Sequence, residues 1–294
     1  MSEEPSIDLR GPPEYGDRAF AKLTAGAAGL VLLILGLIAI TMTRRALPVF
    51  GEMGPRFFTS TRWSPPDSIF GALPFIWGTA FTAAIAVLIA VPISLGVALF
   101  MTQVASPSLA RPLVYLMDLL AGVPSVVFGL WGVLVLSQLV HLGRSFLTAG
   151  IILAIMIIPI ITSLSREVIA TTPVGDKEGA LAMGTTRWEM ITETVLPHSA
   201  GGLVGAVMLG LGRAMGETIA AALVIGSALG QITLRALAPG NSMPAVIANE
   251  WGEAQDLHKS ALIALAVTLF AITILVNLVA TGIVQRSMKR GQGT

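Results

Sequence analysis

A run of 43 residues, from Ser68 to Ala110, contains no charged side chain. A helix crosses the apolar layer of a bilayer with about 20 residues, so this run holds one long span and the turn after it. Five other apolar segments of similar length follow or precede it. The sequence therefore predicts six transmembrane helices, over Leu23–Met42, Leu73–Thr102, Leu113–Leu139, Leu147–Ile169, Ser199–Gly230 and Ser260–Val284.

The composition excludes most other classes of protein. Hydrophobic residues make up 54% of the chain and charged residues 12%, about half the usual charged fraction of ~25%. The mean hydropathy is +0.81 and the net charge is +1. These values exclude an ordinary soluble enzyme, a disordered chain and a basic nucleic-acid binder. The predicted fold class is an all-α, polytopic membrane protein, and the cysteine-free chain with three scattered histidines predicts no metal site.

The predicted organisation is one membrane domain with two short tails. We expect a cytoplasmic N-terminal tail at 1–22, a six-helix transmembrane domain at 23–285 and a cytoplasmic C-terminal tail at 286–294. An even number of spans places both termini on one side. With that side cytoplasmic, ten lysines and arginines lie inside and seven outside, a weak positive-inside bias.

The polar segment 171–197, between the fourth and fifth spans, predicts two short helices outside the bilayer. Thr172 is a suitable N-cap, with Pro173 at the first helical position. Gly184 is placed to end that helix. Thr186-x-x-Glu189 is a capping box that opens the second helix, and Pro197 is expected to end it as the fifth span begins.

This segment resembles the "EAA" loop of the permease subunits of ABC importers. The resemblance rests on Glu178-x-Ala180, on Gly184 six residues after Glu178, and on Leu196-Pro197 twelve residues further on. It implies the type I ABC importer permease architecture, a cytoplasmic location and coupling helices that insert into a groove of an ATPase. The residues implied in coupling are Glu178, Gly179, Ala180, Gly184, Arg187 and Trp188.

Two positions depart from the pattern of that family. Gly179 stands where the second alanine is usual, and Thr194 stands where an aliphatic residue is common. Both substitutions affect the expected local stability of the helices more than a docking role. The alternative to docking is an amphipathic helix that rests on the membrane surface.

The fifth predicted span contains charged residues at membrane depth. Arg213 lies 12 residues beyond Gly201, about 18 Å along a helix at 1.5 Å per residue. Arg213 and Glu217 are four residues apart and share one face of a continuous helix, and Thr218 adds a hydroxyl. A charge at this depth is costly, so the pattern predicts a site for an anion on the guanidinium. The alternative is an ion pair that only neutralises itself or holds a neighbouring helix.

Residues 212–218, GRAMGET, resemble the RAxGET signature of phosphate-specific ABC permeases. Residues 63–65, WSP, and 124–129, PSVVFG, are similar to segments of the PstC type, whereas the sister PstA type usually lacks the first of them. The resemblance covers residues 15–285. It implies import of inorganic phosphate by alternating access, with Arg213, Glu217 and Thr218 on the substrate pathway.

The resemblance also implies the partners and the place in the cell. They are a second permease subunit of the PstA type, two cytosolic ATPase subunits of the PstB type and an extracytoplasmic binding protein of the PstS type, in the bacterial cytoplasmic membrane. Segments 44–67 and 231–259 form the expected landing surface for that binding protein. Glycine pairs four apart, including Gly212 and Gly216, predict close helix packing of the fifth span. Pro124 and Pro159 are expected to kink their helices.

No motif on the chain predicts catalysis. The sequence has no Walker A loop, no HExxH and no GxSxG, so we expect a transport subunit without its own cofactor, with ATP and Mg²⁺ bound by the partner ATPase. Two alternatives stay open from the residues alone. One is an ABC permease for another oxyanion, sulfate or molybdate, and the other is an ion-coupled anion transporter.

Overall fold

The computed structural model describes residues 15–291, and the side chains of residues 16–282. Most of these residues are helical, and a two-stranded antiparallel hairpin is the one sheet among them. The helices are α1 (Tyr15–Met53), α2 (Arg56–Thr59), α3 (Leu73–Leu99), α4 (Pro107–Ala121), α5 (Ser125–Trp131), α6 (Phe146–Ala170), α7 (Val174–Ala182), α8 (Arg187–Met190), α9 (Leu196–Gly216), α10 (Ile219–Val224), α11 (Met243–Glu250) and α12 (Asp256–Gly291). The strands are β1 (Trp63–Ser64) and β2 (Ile69–Phe70).

Segments of wider, π-type helical turn extend three of these helices. They are Phe100–Val104 after α3, Gly132–Leu139 after α5, and Ile191–Val195 between α8 and α9. Five helices of the described chain are long and apolar enough to cross a membrane, and α4 with α5 makes a sixth span if the pair is counted as one. The prediction of an all-α polytopic fold is confirmed.

The predicted third span is broken rather than kinked. α4 ends at Ala121, α5 begins at Ser125, and the two helices meet at an angle of 91°. Pro124 lacks a backbone N–H and has extended backbone with ψ of 138°, so it cannot continue a helix through this point. The expectation of one helix interrupted by a kink was therefore wrong here. By contrast, α6 runs unbroken through Pro159.

The predicted fifth span ends earlier than expected. α9 stops at Gly216 and α10 covers only six residues, whereas the sequence predicted one helix to Gly230. The chain then folds back, and its carbonyl groups accept hydrogen bonds from the start of α6. Ser145 N–H donates to Val224 O at 3.0 Å and Leu147 N–H to Ala236 O at 2.7 Å. These bonds satisfy backbone groups at the N-terminus of α6 that a continuous fifth helix would leave unpaired.

The ends of the chain are also more helical than predicted. α1 begins at Tyr15, inside the predicted N-terminal tail, and residues 1–14 lie outside the described part. At its other end α1 continues past Arg44 and Arg45, where a loop was expected, because Ala46 and Val49 are fully buried there. α12 reaches Gly291, inside the predicted C-terminal tail, of which residues 292–294 lie outside the described part.

The bundle is centred on α6, which packs against α3 on one side and α9 on the other. Small and branched apolar residues of the three helices form one buried cluster: Ala86 and Ala90 of α3, Leu153, Ala154, Ile157 and Ile161 of α6, and Ala206 and Ala214 of α9. Ser94 of α3 donates to the carbonyl of Ile158 at 3.2 Å. Alanine at these positions lets the helix backbones approach closely, which favours association where lipid gives no hydrophobic drive.

The hairpin and the α11–α12 segment are joined by one polar cluster. The Trp63 Nε1–H donates to Glu250 Oε2 at 2.9 Å, and His258 Nε2 lies 2.8 Å from the same oxygen. The Trp63 ring also contacts Phe70 and Phe75 edge-on. The two segments that the sequence assigned to a landing surface are therefore held together as one unit, although they are far apart in the chain.

We predict that Trp63→Phe loosens this unit without unfolding the bundle. The substitution keeps the aromatic packing and removes the hydrogen bond to a carboxylate, a bond of about 1.5–3 kcal/mol. Amide hydrogen exchange of residues 63–70 should accelerate about tenfold or more. Trp251→Phe is the matched control, because Trp251 is 43% exposed; equal acceleration in both variants would contradict the prediction.

Candidate functional site: a coupling helix pair joined to an arginine-lined groove

The helix pair between α6 and α9 begins differently from the prediction. Pro173, with extended backbone, is the N-cap of α7 and makes no side-chain cap. Thr172, predicted as that cap, is instead buried, and its hydroxyl lies 3.4 Å from the Ser199 hydroxyl of α9. A residue that precedes a proline rarely adopts helical backbone. The Thr172 side chain instead holds α9 close to the end of α6.

The turn between α7 and α8 follows the prediction. α7 ends at Ala182, and Gly184 has φ of +87°, the left-handed region that glycine adopts without strain. The capping box is complete: the Thr186 N–H donates to Glu189 Oε2 at 2.7 Å, and the Glu189 N–H donates to the Thr186 hydroxyl at 3.3 Å. Both predicted signals therefore fix the geometry of this turn.

The outer surface of the pair carries apolar side chains that the bundle does not cover. Val174 is 65% exposed, Met183 82% and Trp188 69%. Among the predicted coupling residues, five are exposed: Glu178, Gly179, Gly184, Arg187 and Trp188. Neither Glu178 nor Arg187 forms an ion pair with another described residue. Exposed apolar groups of this size indicate a surface that meets another molecule.

Ala180 has a different position from the other predicted coupling residues. It is buried in a cluster with Ile169, Met190, Val195 and Leu203. Its carbonyl accepts the hydroxyl of the residue that follows Gly184, at 2.8 Å. Ala180 thus anchors α7 to the bundle, whereas a methyl group at Gly179 would contact nothing within 4 Å, so the departure from alanine there costs no packing.

α8 and α9 form one continuous helix, which the sequence did not predict. Pro197 was expected to end the second short helix, but helical structure runs without a break from Arg187 to Gly216. The wider turns of Ile191–Val195 precede the proline, and Pro197 lies in the first turn of α9. Such a turn rearranges the hydrogen bonds around a residue without an N–H. The exposed α8 surface and Arg213 therefore lie on one continuous helix of 30 residues, about 45 Å long at 1.5 Å per residue.

Arg213 lies near the end of this rod, just before the chain leaves the helix. Glu217 is the first residue after α9 and has extended backbone with ψ of 125°. Its carboxylate is 8% exposed, and Oε1 accepts the Ala220 N–H of α10 at 3.4 Å. Thr218 follows, and its hydroxyl donates to the carbonyl of Gly216 at 3.3 Å. Glu217 and Thr218 therefore stabilise the break in the helix.

The ion pair between Arg213 and Glu217 is loose. Arg213 Nη2 lies 4.0 Å from Glu217 Oε2, and the arginine side chain is 49% exposed. The prediction that the two residues share a face of a continuous helix was wrong, because Glu217 lies beyond the helix end. The guanidinium, with five donors, consequently keeps most of its hydrogen-bonding capacity free for another anion.

Arg213 lines a groove of about 600 Å³ between α6, α9 and α12. Its walls are otherwise apolar or glycine, except for Asn277 of α12. Asn277 was missed by the sequence reasoning, although a lone amide inside an apolar span is a recognisable signal of a polar pathway. Gly205 and Gly212 leave the floor of the groove open, since a methyl group at either would meet nothing within 4 Å. The other lining residues are Ile160, Met208 and Leu209.

Inside this chain, the closely packed glycines of α9 are Gly202 and Gly210. A methyl group at Gly202 would lie 2.4 Å from Cγ1 of Val168, and one at Gly210 would lie 2.6 Å from Cγ1 of Ile161. At Gly212 and Gly216, predicted to pack, it would meet no described atom within 4 Å. Inside this chain, Gly202 and Gly210 therefore set the distance between α9 and α6, and Gly212 and Gly216 lie on an open face.

These features describe a membrane-spanning chain in which an exposed helix pair continues into the helix that carries Arg213. The family model described as "Binding-protein-dependent transport system inner membrane component" matches residues 90–289. The chain belongs to this family, in the PstC type of ABC importer permeases. It is 40% identical to the phosphate transport system permease protein PstC of Xylella fastidiosa, over 90% of this chain and 89% of that protein. PstC of Mesorhizobium japonicum is also 40% identical, over 92% and 90%, and PstC 2 of Mycobacterium tuberculosis is 39% identical, over 95% and 94%.

Solved structures confirm the fold. A bacterial alginate ABC transporter matches with a TM-score of 0.65 and 14% identity, over 95% of this chain and 99% of that chain. The MetNI methionine ABC transporter, in an inward-facing conformation, matches with a TM-score of 0.61 and 17% identity, over 76% and 99%. The architecture is that of a type I ABC importer permease, and the chain is a multi-pass protein of the inner membrane.

We predict that Gly210→Ala disturbs the contact between α6 and α9, whereas Gly212→Ala does not. The first substitution forces a methyl group into Ile161, and overpacking of this kind costs about 1–3 kcal/mol. In this chain purified without partner subunits, amide exchange around Ile161 should accelerate for Gly210→Ala and stay unchanged for Gly212→Ala. Equal effects of the two substitutions would show that the assignment of the packed face is wrong.

Proposed function

We propose that this chain is the PstC-type permease subunit of an ATP-driven importer and carries inorganic phosphate across the cytoplasmic membrane. The observation that carries the proposal is the half-exposed, loosely paired Arg213 in an apolar groove, on the same helix as the exposed α8 surface. The names of the relatives support phosphate as the anion. A guanidinium suits a phosphate oxyanion because its planar fork of donors binds two oxygens at once.

The proposal includes four kinds of partner. A second permease subunit of the PstA type completes the pathway, two PstB-type ATPase subunits bind ATP and Mg²⁺, and a PstS-type protein delivers phosphate. This chain then performs no hydrolysis and needs no cofactor of its own. Both termini and the α7–α8 pair face the cytoplasm in this arrangement. The hairpin, Trp63, Glu250 and His258 face outward, where the binding protein lands.

In the proposed mechanism, the continuous helix from Arg187 to Gly216 moves as one rigid unit. The exposed side chains of α7 and α8 bind the ATPase, mainly through Trp188 and Met183. When two ATPases close on ATP, they displace α8, and the continuous helix passes this displacement to Arg213. The groove then opens to the outside, phosphate leaves the binding protein, and its oxygens accept hydrogen bonds from the guanidinium. Return of α8 after hydrolysis reopens the groove inward.

Glu217 and Asn277 have distinct roles in this proposal. Glu217 stays near the guanidinium at 4.0 Å and orients it, while repulsion by its charge weakens the hold on phosphate. That balance matters because a carrier must release its cargo. Asn277 supplies an amide donor on the opposite wall of the groove. Gly212 and Gly216, on the open face of α9, leave space for the backbone of the second permease subunit.

We predict that Arg213→Gln lowers phosphate uptake by about 10- to 100-fold, which corresponds to the free energy lost with hydrogen bonds to a charged group. Phosphate uptake is measured in proteoliposomes that contain the assembled complex and ATP. Arg213→Lys retains the positive charge but loses the planar pair of N–H donors, so it should retain part of the activity. Arg18→Gln, on the exposed surface of α1, is the control for loss of one positive charge.

Two further measurements make this test decisive. Co-purification of all subunits with the Arg213→Gln chain shows that assembly is intact. Stimulation of ATP hydrolysis by the phosphate-loaded, but not a sulfate-loaded, binding protein would establish the anion. Normal uptake by Arg213→Gln in an assembled complex would overturn the anion site, and uptake independent of any ATPase would overturn the importer class.

We predict that Glu178→Arg weakens the binding of the ATPase subunits. Glu178 is exposed on α7 and pairs with no described residue, so reversal of its charge acts on the contact with the partner. The measurement is retention of ATPase in a pull-down with the tagged membrane subunits. Glu253→Arg, an exposed acid before α12, serves as the control, and unchanged retention for Glu178→Arg would contradict the coupling role.

A further inference from the structure

A second groove, of about 420 Å³, lies at the end of the bundle that carries the α7–α8 pair. It is formed by the wider turns of Phe100–Val104 after α3, the first turns of α4 and the last turn of α6. Arg111 and Tyr115 of α4 and Arg166 of α6 line it, together with apolar groups such as Met101 and Val114. Neither arginine belongs to the pathway or to the coupling surface.

The two arginines give this groove an unbalanced positive charge. Arg111 is exposed and forms no ion pair with any described residue. Arg166 is 31% exposed and lies 3.7 Å from Glu167, which is itself 67% exposed. An exposed pair of that length contributes little. Both guanidinium groups are therefore available to an anion that enters the groove.

The surroundings of the groove are apolar and uncovered. Next to Arg111 on α4, Leu109 is 48% exposed, Leu116 47% and Leu119 71%, and Tyr115 is 69% exposed. Tyrosine is enriched at the depth of lipid headgroups, where its ring lies among apolar groups and its hydroxyl in water. Leucines beyond it on the same helix suit hydrocarbon chains. The groove thus places two guanidinium groups beside an apolar wall.

We propose that this groove binds the phosphate headgroup of an anionic phospholipid from the cytoplasmic leaflet. Basic pockets between transmembrane helices on that side bind such headgroups, and the acyl chains would lie along the exposed leucines of α4. The inference rests on the membrane orientation given under the proposed function. A bound lipid would tie α4 to the end of α6, four residues before the chain leaves that helix toward α7, and so hold the base of the coupling pair.

Native mass spectrometry of the complete complex tests this, with phosphatidylglycerol or phosphatidylcholine added to the detergent. We expect the complex to retain phosphatidylglycerol in preference. Arg111→Gln and Arg166→Gln should each weaken that retention about fivefold, and the double variant should weaken it about 25-fold. These factors follow from the binding free energy that one basic residue contributes near an anionic lipid surface. Arg144→Gln, at the opposite end of α6, should leave it unchanged. Equal retention of both lipids, or unchanged retention in the double variant, would overturn the proposal.

Other sources of the same chemistry give different results. If excess inorganic phosphate displaced phosphatidylglycerol completely, the site would belong to the free ion and the lipid proposal would fail. If the double variant lost ATPase subunits while retaining its lipid, the groove would be a protein contact and the proposal would also fail. Arg111→Lys and Arg166→Lys keep the charge, so restored retention in them shows that loss of folding is not the cause.

The orientation is tested separately, so its failure cannot be confused with failure of lipid binding. The chain has no cysteine, and Met183 on the coupling surface is 82% exposed. In membranes that contain this chain without the ATPase subunits, which would cover Met183, a Met183→Cys chain should react with a membrane-impermeant thiol reagent in inside-out vesicles and not in right-side-out cells. Labelling from outside would overturn the cytoplasmic placement of both the coupling pair and this groove. Phosphate uptake has no part in the lipid measurement, so a failed transport proposal leaves that result interpretable.

Discussion

Close approach of α9 to α6 is the constraint on which the site depends. In a bilayer the lipid is as apolar as leucine, so helices associate through tight packing rather than through exclusion of water. Gly202 fits against Val168 and Gly210 against Ile161, and no larger residue would leave room for those side chains. This contact fixes both the depth and the rotation of α9. The groove borders this contact, and Gly205, Gly212 and Arg213 of α9 line it together with Ile160 of α6.

One continuous helix joins the exposed α8 surface to Arg213. α8 lies at the start of this helix, and the last turns of α9 carry the guanidinium. The wider helical turns before Pro197 keep the helix continuous. At its far end, Glu217 follows the last helical residue and remains 4.0 Å from Arg213. The guanidinium therefore keeps most of its hydrogen-bond donors free.

Local patterns in the sequence were sufficient for several features. The lengths of the apolar segments located the spans, and Gly184 and the Thr186–Glu189 capping box set the turn of the coupling pair. The signals were reliable because each depends on residues within one or two turns. The predictions that failed concern competition between distant segments. Pro197 does not end a helix, and the fifth span stops at Gly216 because the chain returns to pair with α6.

The sequence by itself determined that this chain crosses a membrane several times and has two short helices between its fourth and fifth spans. Hydropathy and helix capping are short-range properties, so the sequence alone is enough to show them. Only the tertiary structure decided which glycines pack, that α8 and α9 form one rod, and that Asn277 shares the groove with Arg213. Those outcomes depend on how helices rotate and approach, since the same small residues can face a neighbour or an open groove.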